Sequence, residues 1–196
     1  MDRGDLAVHK KKARRKQGWI VFQDESGASQ KPPLRRTWAP KGQTPVVVHS
    51  YKWDKLSISA TIAYRWDGKR SRVYFDIIPG SYDAAKLIEF LKELKRHFRG
   101  EYVILVWDGL PAHKSAEMNA FLESQHDWLQ VERLPGYAPD LNPVEGLWGN
   151  IKGQELANLS ADDLGEVADA VKTGFERVQT YRQLTFGFLE ETGLSF

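Results

Sequence analysis

The sequence contains no cysteine in its 196 residues. This absence excludes disulfide bonds and metal sites built from thiolates. Any bound metal must therefore be held by oxygen atoms or by imidazole nitrogens. Ligands of this kind favour magnesium or manganese over structural zinc.

Long apolar runs are also missing from the sequence. The longest is YVILVW, from Tyr102 to Trp107, which is far shorter than the roughly 20 residues needed to span a membrane. No signal peptide is recognisable. The sequence therefore predicts no membrane partner, and its length favours one domain with a substantial core.

The chain has little excess charge of either sign, because its formal net charge is only +2. The exception is the segment HKKKARRK, from His9 to Lys16, in which six of eight residues are cationic. We interpret residues 1–17 as a basic arm or the remnant of a linker. Residues 18–196 are then expected to form the folded domain.

Hydrophobic periodicity predicts a domain that contains both strands and helices. The turn sequence DGKR at 67–70 separates two alternating segments and predicts a β-hairpin. Asn142 and Pro143 predict the start of a helix, and Ser160 with Asp163 predicts a capping box for a last long helix. The predicted strands are 19–22, 56–64, 72–78, 102–108 and 129–134, and the other predicted helices are 83–98 and 115–123. This order predicts an α/β or α+β domain whose sheet mixes an antiparallel meander with later strands joined by helices.

Three acidic residues lie at the predicted ends of separate elements. Asp24 follows the first strand, Asp108 closes the longest apolar run, and Glu145 lies in the first turn of the helix after the corner PGYAPDLNP. Hard divalent cations need several oxygen ligands, and two such ions about 4 Å apart can activate a nucleophile and stabilise a leaving oxygen in phosphoryl transfer. Three acids from separate elements can build such a site.

Each acid also has a simpler interpretation. Asp24 alone is typical of a solvated turn residue, and Glu145 can cap its own helix by accepting a hydrogen bond from the backbone N–H of Asn142. Asp108 is different, because an acid that ends six apolar residues is expected to be partly desolvated, at a cost of several kcal/mol if it stays unpaired. A cation would remove that cost. For His113, in the loop after Asp108, a role and no role are equally supported.

Four motifs carry a resemblance to a known family. They are VFQDES around Asp24, RRTWAPKGQTPVV after it, VILVWDGLPAHKS around Asp108, and LPGYAPDLNPVEGLWGNIK around Glu145. From about Gly18 to Ala157, the chain resembles the catalytic domain of bacterial insertion-sequence transposases of the mariner-like superfamily. The 36 residues between Asp108 and Glu145 are similar in number to the gap between the last two acids of that superfamily's DDE motif.

The resemblance implies an RNase H-like fold, a mixed central sheet with helices on both faces. It implies that Asp24, Asp108 and Glu145 are the catalytic acids and bind two Mg²⁺ ions, with Mn²⁺ as a substitute. The implied activity is cleavage of DNA strands at transposon ends, followed by attack of the freed 3′-hydroxyl on target DNA, which needs no protein nucleophile. Two alternatives stay open: a stand-alone RNase H-like nuclease without strand transfer, and a non-catalytic DNA-binding relic.

The implied partners are transposon-end and target DNA, bound by a homodimer, in the cytoplasm of a bacterium near its nucleoid. Candidate phosphate contacts are Lys152, His113, Lys114, Arg35 and Arg36, with Lys41 as a weaker one. Lys152 lies on the same helical face as Glu145, although it is also typical of an ordinary solvated lysine. The basic arm either contacts DNA through salt-sensitive pairing or is a linker, and the linker interpretation is favoured.

Two departures from the family pattern limit the transfer. Gly109 stands where many relatives place an asparagine, which can alter how the neighbouring aspartate is tuned. Relatives also usually begin with helix-turn-helix modules, whereas seventeen residues precede Gly18 here. Sequence-specific recognition is therefore expected to come from a separate helix-turn-helix polypeptide or an upstream reading frame.

Overall fold

A five-stranded mixed sheet forms the centre of the protein, with strand order β3-β2-β1-β4-β5. The structure is a computed structural model that describes residues 3–48, 54–135 and 139–195. The strands are Trp19–Ser29 (β1), Lys55–Arg65 (β2), Ser71–Pro79 (β3), Val103–Trp107 (β4) and Leu129–Arg133 (β5). The helices are Arg3–Lys16 (α1), Ala84–Phe98 (α2), Ala116–Glu123 (α3), Pro143–Gln154 (α4), Leu164–Thr180 (α5) and Gln183–Glu191 (α6), with short 3-10 turns at Pro111–Lys114 and Pro139–Leu141.

The strands pair as the sequence predicts. β2 and β3 form the expected antiparallel hairpin, and β1 pairs antiparallel with β2. β4 and β5 run parallel to β1, each after a connection that contains a helix, because parallel strands need a crossover. The predicted mixed sheet is therefore confirmed.

β1 is longer than predicted. It continues past Phe22 to Ser29, because β2 pairs with it over the whole length, with Asp24 opposite Ala60. The apolar run that marks the first half of β1 ends at Phe22, so the polar second half carries no comparable sequence signal. The prediction that Asp24 follows the first strand is therefore wrong, since Asp24 lies inside β1.

The two faces of the sheet are covered by different helices. Ile20 and Phe22 of β1 pack with residues of α4 and α5 in one core cluster. Trp19 and Val21 pack with residues of α2 in the other. Successive side chains of a strand point to opposite faces, so β1 is buried on both sides. The prediction of helices on both faces is confirmed.

Helix starts follow local capping chemistry. α4 begins as predicted, because the Asn142 side chain accepts a hydrogen bond from the Val144 N–H and Pro143 takes the first helical position. The predicted capping box at Ser160 is wrong. Asp163 itself caps α5 by accepting from the Glu166 N–H, while the Ser160 hydroxyl donates to the Val48 carbonyl instead.

Two helices were not predicted. Residues 3–16, interpreted as a basic arm, form α1, and Ala13 of this helix is completely buried against the sheet. α6 is short, but it buries Phe188 and Leu189. Both helices depend on tertiary packing more than on their own sequence pattern. Within the described residues, no helix is both long and apolar enough to cross a membrane.

Candidate active site

The sheet register places Asp24 and Asp108 next to each other. β1 and β4 are parallel neighbours, with Phe22 opposite Val106. Two residues farther along each strand direction are Asp24 and Asp108, the latter directly after β4. Residues in register on parallel strands share a face. The two carboxylates are therefore expected to lie side by side where β4 ends.

Their shared face is the one covered by α4. Phe22 and Val106, which have the same alternation as the two acids, lie in the core cluster that includes Val144, Leu147 and Trp148 of α4. Glu145, in the first turn of α4, is exposed. The structure thus brings acids from β1, from the end of β4 and from α4 to one end of one face. The corner before α4 lies partly outside the described residues, at 136–138.

A hydrogen bond fixes α4 to β1 at this point. Trp148, one helical turn after Glu145, donates from Nε1 to the Asp24 Oδ2 atom at 2.9 Å. Burial raises the pKa of Asp24 to about 7, and the negative charges of Glu145, Glu25 and Asp108 add to this effect. The Trp148 hydrogen bond opposes the shift. The electrostatic coupling indicates that the three acids share one environment.

The simpler interpretation of Glu145 is not supported by the structure. Among the described residues, no hydrogen bond joins the Glu145 carboxylate to the backbone N–H of Asn142, and the Asn142 side chain supplies the cap. The Glu145 carboxylate is therefore available at the site instead of being used by its own helix.

A buried histidine connects Asp108 to β1. His113 is completely buried and stacks on Trp107 with ring centroids 4.1 Å apart. Its Nδ1 atom lies 2.9 Å from Asp108 Oδ1, and its Nε2 atom lies 3.3 Å from Glu25 Oε1. Gln23 donates to the same Glu25 oxygen at 2.8 Å. His113 thus links the second acid to the opposite face of the sheet.

The histidine is held in its cationic form by these contacts. Burial lowers the pKa of His113, but hydrogen bonds to Asp108 and Glu25 outweigh burial and raise the pKa to about 9. For Asp108, burial alone would raise the pKa. The hydrogen bonds from His113 and the Leu110 N–H outweigh burial and lower the pKa of Asp108. Asp108 is therefore an oriented, ionised carboxylate.

Two outcomes for the predicted residues follow from this network. His113 does not fit the predicted role of a direct DNA contact, because its side chain has no solvent exposure.

Glu25 was missed by sequence reasoning. It follows Asp24 directly and therefore points to the other face of β1, and only the tertiary position of His113 gives it a partner at the site.

Lys114 takes the space beside Gly109. A side chain at Gly109 would place its Cβ atom 2.9 Å from Lys114 Nζ, so an asparagine at this position would require the lysine to move. Lys114 is exposed, and its positive charge also lowers the pKa of Asp108. This position is compatible with the predicted phosphate contact.

Two of the remaining candidate cations, Lys152 and Arg35, lie near the second half of α4. Lys152 Nζ donates to Ser26 Oγ of β1 at 2.6 Å. Arg35 is exposed, and its backbone is held by two hydrogen bonds to the Asn158 side chain. Arg36 and Lys41 are exposed in the same loop. Lys152 and Arg35 therefore border the α4 side of the site, while a DNA contact by any of them stays a prediction.

The donor set suits a hard divalent cation, because Asp24, Asp108 and Glu145 supply carboxylate oxygens and the chain has no thiolate. In the described part of the chain, however, no three histidine or acidic side chains are close enough together to hold one ion. The predicted sharing of two ions about 4 Å apart stays a prediction.

In a comparison with protein families, residues 19–168 match the model described as "DDE superfamily endonuclease". No curated protein gives a significant match. Residues 19–168 include all three acids of the candidate site.

Solved structures with the same fold include the Mos1 transposase paired-end complex with left transposon end, at 22% identity and a TM-score of 0.67, covering 97% of this chain and 59% of that chain. The mariner Mos1 paired-end complex with Mg matches at 19% identity and a TM-score of 0.64, and the match covers 97% of this chain and 59% of that chain. The Mos1 strand transfer complex matches at 20% identity and a TM-score of 0.60, and the match covers 97% of this chain and 60% of that chain. The chain therefore spans about three-fifths of the length of these proteins and has their RNase H-like fold.

Proposed function

Because the chain belongs to the DDE superfamily endonuclease family, we propose that it is the catalytic domain of a DNA transposase. It cuts DNA strands at transposon ends and joins the freed ends to target DNA. One observation carries this proposal: acids from β1, from the end of β4 and from the first turn of α4 lie toward one end of one face of the sheet, where the charges of Asp108 and Glu145 both raise the pKa of Asp24. The similar Mos1 complexes, which contain transposon ends or a strand-transfer product, support the same activity.

Asp24, Asp108 and Glu145 are the residues that would hold Mg²⁺ or Mn²⁺. Bound divalent ions would supply charge neutralisation at the scissile phosphate and activation of the attacking oxygen. The chain's own contribution is orientation. Trp148 holds Asp24, the His113 ring and the Leu110 N–H hold Asp108, and α4 carries Glu145.

The proposed reaction has two steps at the same acids. Water first attacks the phosphodiester, the bond from phosphorus to the 3′-oxygen breaks, and a free 3′-hydroxyl results. That hydroxyl then attacks a target phosphodiester, a new bond to phosphorus forms and the target strand's own 3′-oxygen leaves. No covalent protein intermediate is required, so positioning and charge stabilisation carry the catalysis.

An assay on two DNA substrates tests this function. The chain is incubated with Mg²⁺ or Mn²⁺ and a plasmid carrying the element's terminal repeats, and separately with a pre-cut end and a target plasmid. Metal-dependent nicks in the first and joined products in the second are expected. Cutting without joining would favour the stand-alone nuclease, and neither product would favour the DNA-binding relic.

Removing the imidazole contacts of His113 is expected to lower nicking by about 10- to 100-fold, the range seen when partners of metal ligands are lost. His113→Phe keeps a ring to stack on Trp107 but cannot hydrogen-bond Asp108 or Glu25. Nicking rates are measured against Mg²⁺ concentration, and the half-maximal concentration is expected to rise. Because a buried phenyl ring beside two acids can destabilise the fold, Glu25→Gln is measured in parallel.

The matched control is His126→Phe, since His126 has the same chemistry on an exposed surface. It should nick like the unmodified chain. Full activity of both His113→Phe and Glu25→Gln at low Mg²⁺ would show that the network does not position Asp108.

We also propose that two copies of the chain act together on DNA. The loop between β1 and β2 exposes apolar side chains, among which Trp38 is 100% and Leu34 is 74% accessible. Exposed apolar surface of this kind marks interaction sites. Trp38→Ser is expected to reduce the mass of the protein–DNA complex from two chains to one, as measured by light scattering.

Tyr181→Ser provides the control for that substitution, because Tyr181 is another exposed aromatic residue. The two-chain complex should survive it. A Trp38→Ser variant that still forms two-chain complexes would contradict the assignment of this loop.

A further inference from the structure

The basic segment at 9–16 is an ordered helix with a defined direction. α1 ends where the Gly18 N–H donates to the Ala13 carbonyl at 2.9 Å and the Gln17 N–H donates to the Arg14 carbonyl at 3.2 Å. Gln17 has φ of 51°, so the helix ends in a Schellman motif. The chain then turns directly into β1, and α1 runs back along the sheet.

Specific contacts dock α1 on the face that carries α4. Ala13 is completely buried in the same core cluster as Phe22 and Val106. His9 is buried, and its Nδ1 atom lies 3.7 Å from Glu132 Oε1 on β5. The Lys16 ammonium lies 5.5 Å from the ring centroid of Tyr102. α1 therefore covers the β4–β5 side of the face on which the candidate active site lies.

When α1 is docked in this way, one row of its cationic side chains faces the solvent. His9 and Ala13 point inward, and at about 3.6 residues per turn Lys11 lies on the opposite side of the helix. Lys11, Arg14 and Arg15 are exposed. We call these three residues the basic face of α1.

The register of the sheet sets the distance between the basic face and the acids. Glu132, beside His9, is in register with Val106, which is in register with Phe22, two residues before Asp24. Asp24 is thus about 7 Å beyond the His9 level, and Lys11 to Arg15 extend about 3 to 9 Å away in the other direction. The basic face therefore lies about 10 to 16 Å from the acids along the strand axis, or about three to five nucleotides of one DNA strand.

Like charges stand at helical spacing on the basic face. Lys11 has Arg14 three residues on and Arg15 four residues on, and like charges at these spacings destabilise a helix. A polyanion laid along the basic face would relieve that repulsion and release counterions. The charge pattern and the docking geometry thus favour the same ligand.

We propose that Lys11, Arg14 and Arg15 bind the phosphate backbone of the DNA that extends from the active site. This inference rests on the proposed function and deepens it, because it assigns the path of the DNA away from the acids over α1. The contact is independent of sequence, since phosphate contacts set position and carry no base information.

The first test is salt-dependent binding of a fluorescent duplex of arbitrary sequence, about 30 base pairs long, between about 50 and about 200 mM KCl. The variant combines Lys11→Gln, Arg14→Gln and Arg15→Gln. The slope of log affinity against log salt is expected to shrink by about 2 to 3, since each lost phosphate contact reduces it by about 1. Affinity at the lowest salt should fall by about tenfold or more, and the thermal midpoint should not decrease because repulsion is removed.

The control combines Lys86→Gln, Lys92→Gln and Arg96→Gln in α2, which covers the opposite face. It changes the net charge by the same amount. The control should keep the slope of the unmodified chain. An equal loss in both variants would overturn the proposal, because total charge and not the basic face would then determine binding.

A second test maps the DNA path directly. The chain has no cysteine, so Val8→Cys introduces a single attachment point for an iron chelate on the exposed side of α1, where Val8 is 62% accessible. Hydroxyl radicals should cut bound DNA from this position, but not from Lys92→Cys on α2. The absence of cuts from Val8→Cys under conditions of full binding would overturn the proposal.

These results separate the inference from the proposed function. If the unmodified chain cuts no DNA but the α1 variant has the smaller salt slope, the transposase activity is refuted and DNA binding by the basic face is supported. A chain that cuts and joins DNA but keeps its slope in the α1 variant would support the activity and refute the basic face.

Discussion

Asp108→Asn is expected to lower metal-dependent nicking by at least about 10³-fold, because it removes a proposed metal ligand itself. Loss of a residue that only supports such a ligand already costs about 10- to 100-fold, and a direct ligand must exceed that range. The expected loss corresponds to about 4 kcal/mol of transition-state stabilisation. DNA binding should persist, since cations outside the acids carry it in this proposal.

The fold is expected to tolerate this substitution. Asp108 Oδ1 accepts hydrogen bonds from the Leu110 N–H at 3.0 Å and from His113 Nδ1 at 2.9 Å. The amide oxygen of asparagine can accept both, so only the charge is lost. Nicking rate, DNA affinity and thermal midpoint are measured together, with Asp127→Asn as the control at an exposed aspartate. Substantial Mg²⁺-dependent cutting by a folded Asp108→Asn variant would refute the assignment.

Gly18→Ala is expected to lower the free energy of unfolding by about 3 kcal/mol or more. A Cβ atom at this position would lie 2.2 Å from the Tyr102 carbonyl oxygen and 2.9 Å from its carbon. Both are backbone atoms, and the oxygen is held by the Trp19 N–H at 2.8 Å. β1 and β4 would have to separate where their parallel pairing begins, so the loss would reach the sheet that carries Asp24 and Asp108.

Gly187→Ala is the matched control, because a Cβ atom there would meet nothing within 4 Å. Gly187 lies inside α6, where alanine should stabilise the helix by about 0.5 to 1 kcal/mol. Urea unfolding of both variants measures the difference. A Gly18→Ala variant as stable as the unmodified chain would mean that β1 and β4 do not approach as closely as the structure indicates.

The sequence by itself determined the central elements and indicated the three acids that are proposed as metal ligands. The run from Tyr102 to Trp107 and the hairpin around DGKR follow from apolar periodicity and turn chemistry, which are local properties. Asn142 and Pro143 likewise set the start of α4, and Asp108 stood out because an acid at the end of an apolar run is costly to bury. The roles proposed for Asp24 and Glu145 came only from family resemblance, since each residue also has an ordinary local explanation.

Only the tertiary structure decided how these residues meet. The extension of β1 through Asp24 depends on pairing with β2, and the position of Glu25 opposite His113 depends on the loop that follows β4. The sequence did not predict α1, because the two residues that dock it, Ala13 and His9, lie in a run of charged residues. Their role depends on contacts with the sheet. Local pattern reports which residues can form an element, whereas register, docking and the partners of a buried charge depend on contacts between residues that are far apart in the chain.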